Sequence, residues 1–244
     1  MRLPCALAIP LLAIAALAGQ PAAASMPGCP QQERMEPIVE GRIDPATPLT
    51  IVAFGSSSTE GAGASKPEFS YPARLEALLR AALPGRSIRV VNAGRSGQTS
   101  EEMLARLESD VLARQPALVI WQAGGNEALK GRDPAAFEHA MREGLARLAA
   151  ARIPVVLLDN QRSPRMIEAR ATRFDVVMAE LARPEGIGIF HRGAWQATAP
   201  NPAALVAPDG LHFNDAGYAC LATALADALL PSLRPRGATV AARR

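Results

Sequence analysis

Five short apolar runs, rich in β-branched residues, alternate with longer amphipathic segments along this 244-residue chain, and this alternation restricts the fold more than any other feature. The runs begin at Leu49, Ile88, Ala117, Pro154 and Ile187. Each has the length and composition of a β-strand, whereas the segments between them have the apolar spacing of three and four that is typical of helices. Strands that alternate with such helices form a parallel sheet covered on both faces. We therefore expect a three-layer α/β fold with a central parallel sheet of about five strands.

The helices are expected where the apolar spacing is most regular. They begin at Tyr71, Ser100 and Asp133, and two more span Pro164–Ala182 and Asp215–Leu230. Asp133 precedes a proline, which is a typical helix start. In a parallel sheet of this kind, functional residues lie in loops beyond the carboxyl ends of the strands.

The first 24 residues have the pattern of a secretory signal peptide: a positive charge at Arg2, an apolar run to Ala18 and small residues at Ala22–Ala24. The alternative, an anchoring helix, needs about 20 apolar residues, and this run is shorter. We expect a secreted or periplasmic protein without a stable membrane span after cleavage. An extended lead-in over 25–48, one domain over 49–231 and a basic flexible tail over 232–244 would follow.

The exported chain would keep two cysteines, Cys29 and Cys220, because Cys5 leaves with the signal peptide. A disulfide between them suits an oxidising compartment. The sequence does not give the Cα separation that a disulfide requires, so the paired and unpaired states are equally open. Two distant cysteines do not make a zinc site, and no metal is expected.

The charge distribution does not favour nucleic-acid binding. The formal net charge is +3, but five arginines lie in the signal peptide and the tail, and the body of the chain without them carries −2. These are Arg2, Arg234, Arg236, Arg243 and Arg244. Aromatic residues make up only 4% of the chain, so base-stacking surfaces are not expected either.

Four loops that should meet at one edge of the sheet contain glycines and polar residues. They read "GSSSTEG" after the first strand, "NAGRSGQTS" after the second, "QAGGNEAL" after the third and "APDGLHFNDAGY" before the last helix. Each loop alone is compatible with simple turn chemistry. Together they contain every group that a serine hydrolase requires.

The general base can be chosen among three histidines. His139 lies within a predicted helix, and His191 has no acidic residue at short spacing. His212 follows Asp209 by three positions, so the carboxylate can hold one ring nitrogen and leave the other for a hydroxyl. We predict His212 as the catalytic base and Asp209 as its acid, with a buried structural histidine as the alternative.

Two further loop residues are candidate oxyanion donors, which stabilise the negative charge that forms during attack on an ester carbonyl. Gly97 can offer its backbone N–H and Asn126 its side-chain amide, and the backbone N–H of the nucleophile is a third donor. Their alternative roles are a turn glycine and a capping asparagine.

From Leu49 to about Leu230, the four blocks resemble the SGNH or GDSL hydrolase superfamily, esterases and lipases of flavodoxin-like fold. The superfamily's first block is usually G-D-S-x-T or G-D-S-x-S, and "GSSST" occupies it here. The matching positions are Ser57 for the nucleophile, Gly97 and Asn126 for the oxyanion hole, and Asp209 and His212 for the D-x-x-H pair. The resemblance implies a catalytic triad without metal or cofactor, acting through an acyl-enzyme.

Two positions depart from the superfamily pattern. Ser56 stands where the first block usually has aspartate, and Glu127 stands where aspartate usually follows the asparagine. In the superfamily, the first aspartate helps to order the loops around the site. How the nucleophile loop is supported in this chain is therefore an open question.

The leading hypothesis is a monomeric carboxylic-ester hydrolase. Its substrate would be a short-chain acyl ester, a lysophospholipid, a thioester or an O-acetylated carbohydrate. Trp195, Leu205 and Val206 precede the acid and the histidine, and either line the substrate pocket or cap the core. The alternatives are an acyltransferase to a sugar, which shares the triad, and a glycan- or lipid-binding module, which predicts a broken triad.

Overall fold

The structure is a computed structural model that describes residues 28–30, 43, 47–184 and 187–233. The predicted signal peptide, most of the lead-in and most of the predicted tail lie outside the described residues.

The five predicted strands are present and form one parallel sheet with the order β2-β1-β3-β4-β5. Their bounds are β1 Leu49–Gly55, β2 Ile88–Gly94, β3 Leu118–Gln122, β4 Val155–Leu158 and β5 Ile187–Phe190. From β1, the chain places β2 on one side and then β3, β4 and β5 in order on the other side. The order of the strands therefore reverses between β1 and β3. Crevices open at such reversal points, beyond the carboxyl ends of the strands, so the loops after β1 and β3 flank the expected site.

The described part of the chain has ten α-helices and three short 3₁₀ helices. The α-helices are α1 Ser57–Glu60, α2 Tyr71–Ala82, α3 Ser100–Ala105, α4 Leu107–Asp110, α5 Gly125–Leu129, α6 Pro134–Ala150, α7 Pro164–Glu168, α8 Thr172–Leu181, α9 Arg192–Ala197 and α10 Asp215–Leu233. The 3₁₀ helices are Pro67–Phe69, Leu112–Arg114 and Pro202–Leu205.

Two hydrophobic clusters, one on each face of the sheet, confirm the three-layer architecture. Alternate residues of β1 point to opposite faces, as the strand period requires. Ile51 and Ala53 pack in one cluster with α2 and α10. Val52 and Phe54 pack in the other with α3, α6 and α8.

The segment from Ser100, expected as one helix, is divided at Arg106, whose side chain is buried. Its guanidinium lies 4.4 Å from the Phe54 ring centroid. It donates hydrogen bonds of 2.9 Å to the carbonyl oxygens of Gly55 and Ala93, at the ends of β1 and β2. The segment expected at Pro164–Ala182 is also divided, where Arg170 adopts a φ of +53° between α7 and α8.

The last helix, α10, is the one described helix that is long and apolar enough to cross a membrane. Its most apolar window has a mean hydropathy of 1.3, and 72% of that window is buried inside the domain. Its apolar character therefore fits a helix of the hydrophobic core. Cys220 on α10 forms a disulfide with Cys29, at a Cα separation of 5.4 Å, so the two cysteines are paired.

Candidate active site

Ser57, His212 and Asp209 form a continuous hydrogen-bonded chain. His212 Nε2 lies 2.8 Å from Ser57 Oγ, and His212 Nδ1 lies 2.6 Å from Asp209 Oδ2. The serine is the first residue of α1, directly after β1, and the other two lie in the loop before α10. The imidazole thus has a carboxylate at one nitrogen and a hydroxyl at the other, which is the arrangement required for general-base activation of a serine.

The Asp209 carboxylate is positioned by the backbone of its own loop. Its Oδ1 accepts hydrogen bonds from the N–H groups of Leu211, at 2.9 Å, and His212, at 3.0 Å. Partial burial alone would raise the pKa of Asp209, but the hydrogen bonds from the His212 ring and these two N–H groups outweigh it and lower that pKa. The carboxylate therefore stays charged at neutral pH.

The histidine loop packs closely against the loop that follows α1. A Cβ atom added at Gly63 would lie 2.4 Å from the carbonyl oxygen of Phe213 and 2.9 Å from the Cβ of His212. Gly63 also has a φ of +89°, which favours glycine. This contact fixes the distance between the histidine loop and the segment that carries Ser57.

Gln122, the last residue of β3, supports the nucleophile loop at Ser56, the position where the superfamily pattern has aspartate. Its Oε1 accepts hydrogen bonds from the backbone N–H of Ser56 at 3.0 Å and from the Ser56 hydroxyl at 3.1 Å. The hydroxyl of Thr59 also donates to it, at 3.4 Å. All three residues are buried. A neutral amide on β3 therefore holds the nucleophile loop. Sequence reasoning missed this residue, although a polar residue ends the apolar run "LVIWQ".

Glu127, the second departure, is buried and joins two loops of the site. Its Oε1 accepts a hydrogen bond from the backbone N–H of Ser100, the first residue of α3. Its Oε2 is buried without a hydrogen-bond partner in the described structure. The longer carboxylate thus connects α5 to α3.

Of the two predicted oxyanion residues, Gly97 lies in the loop between β2 and α3, and Asn126 lies at the start of α5. The Asn126 amide donates one hydrogen bond, of 2.8 Å, to the carbonyl oxygen of Gln98, which leaves its second N–H for another acceptor. Gly97 has a φ of +79°, and a Cβ added there would meet nothing within 4 Å. The positive φ favours glycine at position 97. Lys130 Nζ donates to the Gly97 carbonyl oxygen at 2.8 Å.

A shallow cleft adjoins the serine and the histidine. Asn126 lines it, as do Gln122, Gln161, Met166 and Leu211, whereas Gly97 does not. The cleft thus brings the predicted nucleophile, base and one oxyanion residue together.

The three residues predicted either to line the pocket or to cap the core do not line the cleft. Trp195 packs against the rings of Phe190 and Phe213, with centroids 5.6 and 6.4 Å away. Leu205 is buried in the same core cluster, and Val206 forms an isolated β-bridge with Phe213. Trp195 and Leu205 thus pack in the core, the second of the two roles expected for them.

The other two histidines are not bonded to a serine in the described structure. His139 is exposed on α6. His191 Nδ1 lies 3.0 Å from Asp159 Oδ2, so a carboxylate 32 residues away supplies the acid that short spacing did not show. This hydrogen bond raises the pKa of His191. Among the residues described, no group of three or more His, Cys, Asp or Glu side chains could hold a metal ion.

The model of one protein family matches residues 30–234 of the chain, almost the whole described region. This chain belongs to the non-GDSL lipase-like family. The resemblance to the SGNH/GDSL superfamily is thereby confirmed.

Two curated relatives of this lipase-like chain are esterases. Esterase TesA of Pseudomonas aeruginosa is 34% identical over 139 residues, which cover 53% of this chain and 69% of TesA. The acetylxylan esterase of Geobacillus stearothermophilus is 35% identical over 92 residues, which cover 34% of this chain and 42% of that enzyme. These relatives confirm the predicted enzyme class, a carboxylic-ester hydrolase.

Solved structures show the same fold. The crystal structure of the lipase/acylhydrolase from Enterococcus faecalis has a TM-score of 0.66 and 24% identity, with 78% of this chain and 100% of that chain covered. The flavodoxin-like α/β architecture expected for this lipase-like chain is confirmed.

Proposed function

We propose that the protein is a secreted or periplasmic serine esterase in which Ser57 is the nucleophile. The observation that carries the proposal is the position of His212, which is hydrogen-bonded to the Ser57 hydroxyl on one side and to Asp209 on the other. Nucleophile, base and orienting acid at hydrogen-bond distance are the geometric signature of covalent catalysis by serine.

The reaction proceeds in two steps. Ser57 Oγ attacks the acyl carbon while its proton passes to His212 Nε2, and the same nitrogen then gives that proton to the departing alcohol. Water, deprotonated by His212, attacks the acyl-enzyme and releases the carboxylic acid and the free serine. Asp209, hydrogen-bonded at Nδ1, holds the ring orientation and stabilises the imidazolium in both steps.

The oxyanion that forms in each step needs donors at a fixed position. The backbone N–H of Ser57, the second N–H of the Asn126 amide and the backbone N–H of Gly97 are assigned to it. The hydrogen bond from Asn126 to the Gln98 carbonyl keeps the two loops together, which supports a preformed site.

Export is supported by the N-terminal signal pattern and by the Cys29–Cys220 disulfide, since disulfides persist in oxidising compartments and are rare in the cytosol. The disulfide joins residues 191 positions apart and fastens the segment before β1 to α10. An O-acylated small molecule or carbohydrate in the same compartment is the expected substrate class, in keeping with the acetylxylan esterase among the relatives.

The hydrolysis of p-nitrophenyl acetate by single-serine variants tests this function. Ser57→Ala should lower kcat at least about 1,000-fold, because the nucleophile is lost. Ser58→Ala, at the buried neighbouring position, is the matched control and should keep measurable turnover. Wild-type turnover by purified Ser57→Ala would disprove the assignment.

A further inference from the structure

The three residues assigned to the oxyanion hole lie on three separate segments of the chain. Ser57 begins α1, Asn126 lies on α5, and Gly97 lies in the loop between β2 and α3. An oxyanion hole acts through donors that are held in place before the reaction, so these segments must keep fixed relative positions. Two charged side chains outside the triad, Glu60 and Lys130, join them.

Glu60 ties the loop between β2 and α3 to the helix that carries the candidate nucleophile. It is the last residue of α1, which Ser57 begins. Its Oε2 accepts hydrogen bonds from the backbone N–H of Ser96, at 2.9 Å, and from the Ser96 hydroxyl. The two segments touch at this point, because a Cβ atom added at Gly94 would collide with the backbone nitrogen of Glu60. Glu60 thus holds the residue that precedes Gly97.

Lys130 ties the same loop to α5 from its other side. It directly follows α5, one helical turn after Asn126, and its Nζ donates a 2.8 Å hydrogen bond to the carbonyl oxygen of Gly97. The carboxylate of Glu102 is farther away, at 3.6 Å, so the carbonyl oxygen is the closer partner. Together with the bond from Asn126 to the Gln98 carbonyl oxygen, this contact holds two successive residues of the loop.

The two contacts lie on either side of the peptide group that carries the Gly97 N–H. Peptide groups are planar, so the direction of this N–H depends on the backbone dihedrals of Ser96 and Gly97. Glu60 holds the preceding peptide group through the Ser96 N–H, and Lys130 holds the following one through the Gly97 carbonyl oxygen. Glycine has wide conformational freedom, which makes such restraint necessary. Within the described residues, the Gly97 N–H donates to no acceptor.

We propose that Glu60 and Lys130 are a pair of positioning residues that fix the Gly97 N–H relative to the other two oxyanion donors. The inference rests on the proposed function, in which these three donors stabilise the oxyanion. Neither charged group touches the substrate. Because the oxyanion forms only during the reaction, losing the restraint should weaken stabilisation of the transition state more than binding of the ester.

The hydrolysis of p-nitrophenyl acetate by variants of the full exported chain tests the pair. Lys130→Met retains the side-chain length and removes the donor, and Glu60→Ala removes the acceptor. Each should lower kcat/KM about tenfold, less than the loss of a whole oxyanion donor. Lys130→Arg and Glu60→Gln keep a donor and an acceptor, and should restore most of the activity. Arg142→Met and Glu138→Gln, in an exposed ion pair on α6, are the matched controls and should have no effect.

Inhibition by phenylboronic acid separates positioning from a merely structural role. Its tetrahedral adduct on Ser57 resembles the reaction intermediate, so its inhibition constant should rise about tenfold in Lys130→Met and in Glu60→Ala. Partial unfolding would lower kcat/KM without changing that constant. Because both residues act on one peptide group, the double variant should lose less than the product of the two single losses.

An unchanged inhibition constant in both single variants would overturn the positioning role, and so would a failure of Lys130→Arg and Glu60→Gln to restore activity. Losses that multiply in the double variant would overturn the pairing. In each of these cases a wild type that hydrolyses p-nitrophenyl acetate and an inactive Ser57→Ala variant would leave the esterase proposal intact. Failure of the wild type to hydrolyse the ester would instead remove the proposed function, and the positioning role with it.

Discussion

Gln122 Oε1 accepts hydrogen bonds from both the backbone N–H and the hydroxyl of Ser56, and so holds the residue that precedes the candidate nucleophile. Gln122→Ala should leave these buried donors without an acceptor and lower the free energy of unfolding by about 1–3 kcal/mol. It should also reduce kcat for p-nitrophenyl acetate, because the turn into α1 is less well fixed.

Gln122→Glu distinguishes positioning from general destabilisation, since it retains an oxygen acceptor. Urea denaturation and steady-state kinetics on both variants measure the two effects. We expect kcat to recover in Gln122→Glu relative to Gln122→Ala. Equal kcat in the wild type and Gln122→Ala would show that Ser57 is positioned without this residue.

Asp209→Asn should abolish most activity without unfolding the domain. The amide oxygen can still accept from the Leu211 and His212 backbone, but the amide N–H₂ cannot accept from His212 Nδ1. The ring is then held in the wrong tautomer, and kcat should fall by up to about 10⁴-fold, as in other triads. Stopped assays at pH 7, with circular dichroism as the folding control, measure this. A loss below about tenfold would contradict the role of Asp209.

Gly63→Ala should lower both stability and kcat, because the new Cβ would collide with Phe213 and press on His212. Gly85→Ala is the matched control, since Gly85 has a φ of +87° and nothing within 4 Å of an added Cβ. That variant should show only the cost of backbone strain, about 1 kcal/mol or more, with normal kcat. The same kcat in both variants would mean that the Gly63 contact does not position the histidine.

Because of Asp175, the free energy of unfolding should decrease as the pH rises from about 4 to 7. Burial, followed by the charge of Asp159, raises the pKa of Asp175 to about 6 from an ordinary 3.8. The folded protein thus binds this proton more tightly than the unfolded chain, and that stabilisation is lost as the pH rises through 6. This stabilisation is at most about 3 kcal/mol, the free-energy equivalent of the pKa difference between 3.8 and about 6.

Asp175→Asn should remove this pH dependence while keeping an acceptor for the two hydrogen bonds from Asn160. Urea denaturation at pH 4 and pH 7 compares the variant with the wild type and with Glu180→Gln, an exposed carboxylate on the same helix. Identical pH profiles for all three proteins would show that Asp175 is not the titrating group.

The sequence predicts the sheet and the order of the site loops well, because strand periodicity and the positions of glycine and polar residues are local signals. The pairing of Asp209 with His212 is equally local, at a spacing of three residues. The bond from Ser57 to His212 spans 155 positions. The parallel topology, which gathers the strand ends at one edge, predicted that their loops meet, and the superfamily resemblance singled out Ser57 among the three serines.

Side chains that act across the fold were not predictable from local pattern. Gln122, on a distant strand, accepts a hydrogen bond from Ser56. His191 is hydrogen-bonded to Asp159, which directly follows β4. The expected helix is divided at Arg106, whose guanidinium donates hydrogen bonds to carbonyl oxygens of two strands. Trp195 was expected either to line the pocket or to cap the core, and it packs against Phe190. Local sequence does not distinguish these two roles, because tertiary packing decides between them.

Labelling with a fluorophosphonate, followed by peptide mass spectrometry, tests the central claim most directly. The reagent reacts with serines activated as nucleophiles and leaves a stable adduct on the reacting oxygen. We predict one adduct, on Ser57, which disappears in the Asp209→Asn variant and in heat-denatured protein. Full esterase activity after treatment, or an adduct on Ser56 or Ser58 in place of Ser57, would contradict the account.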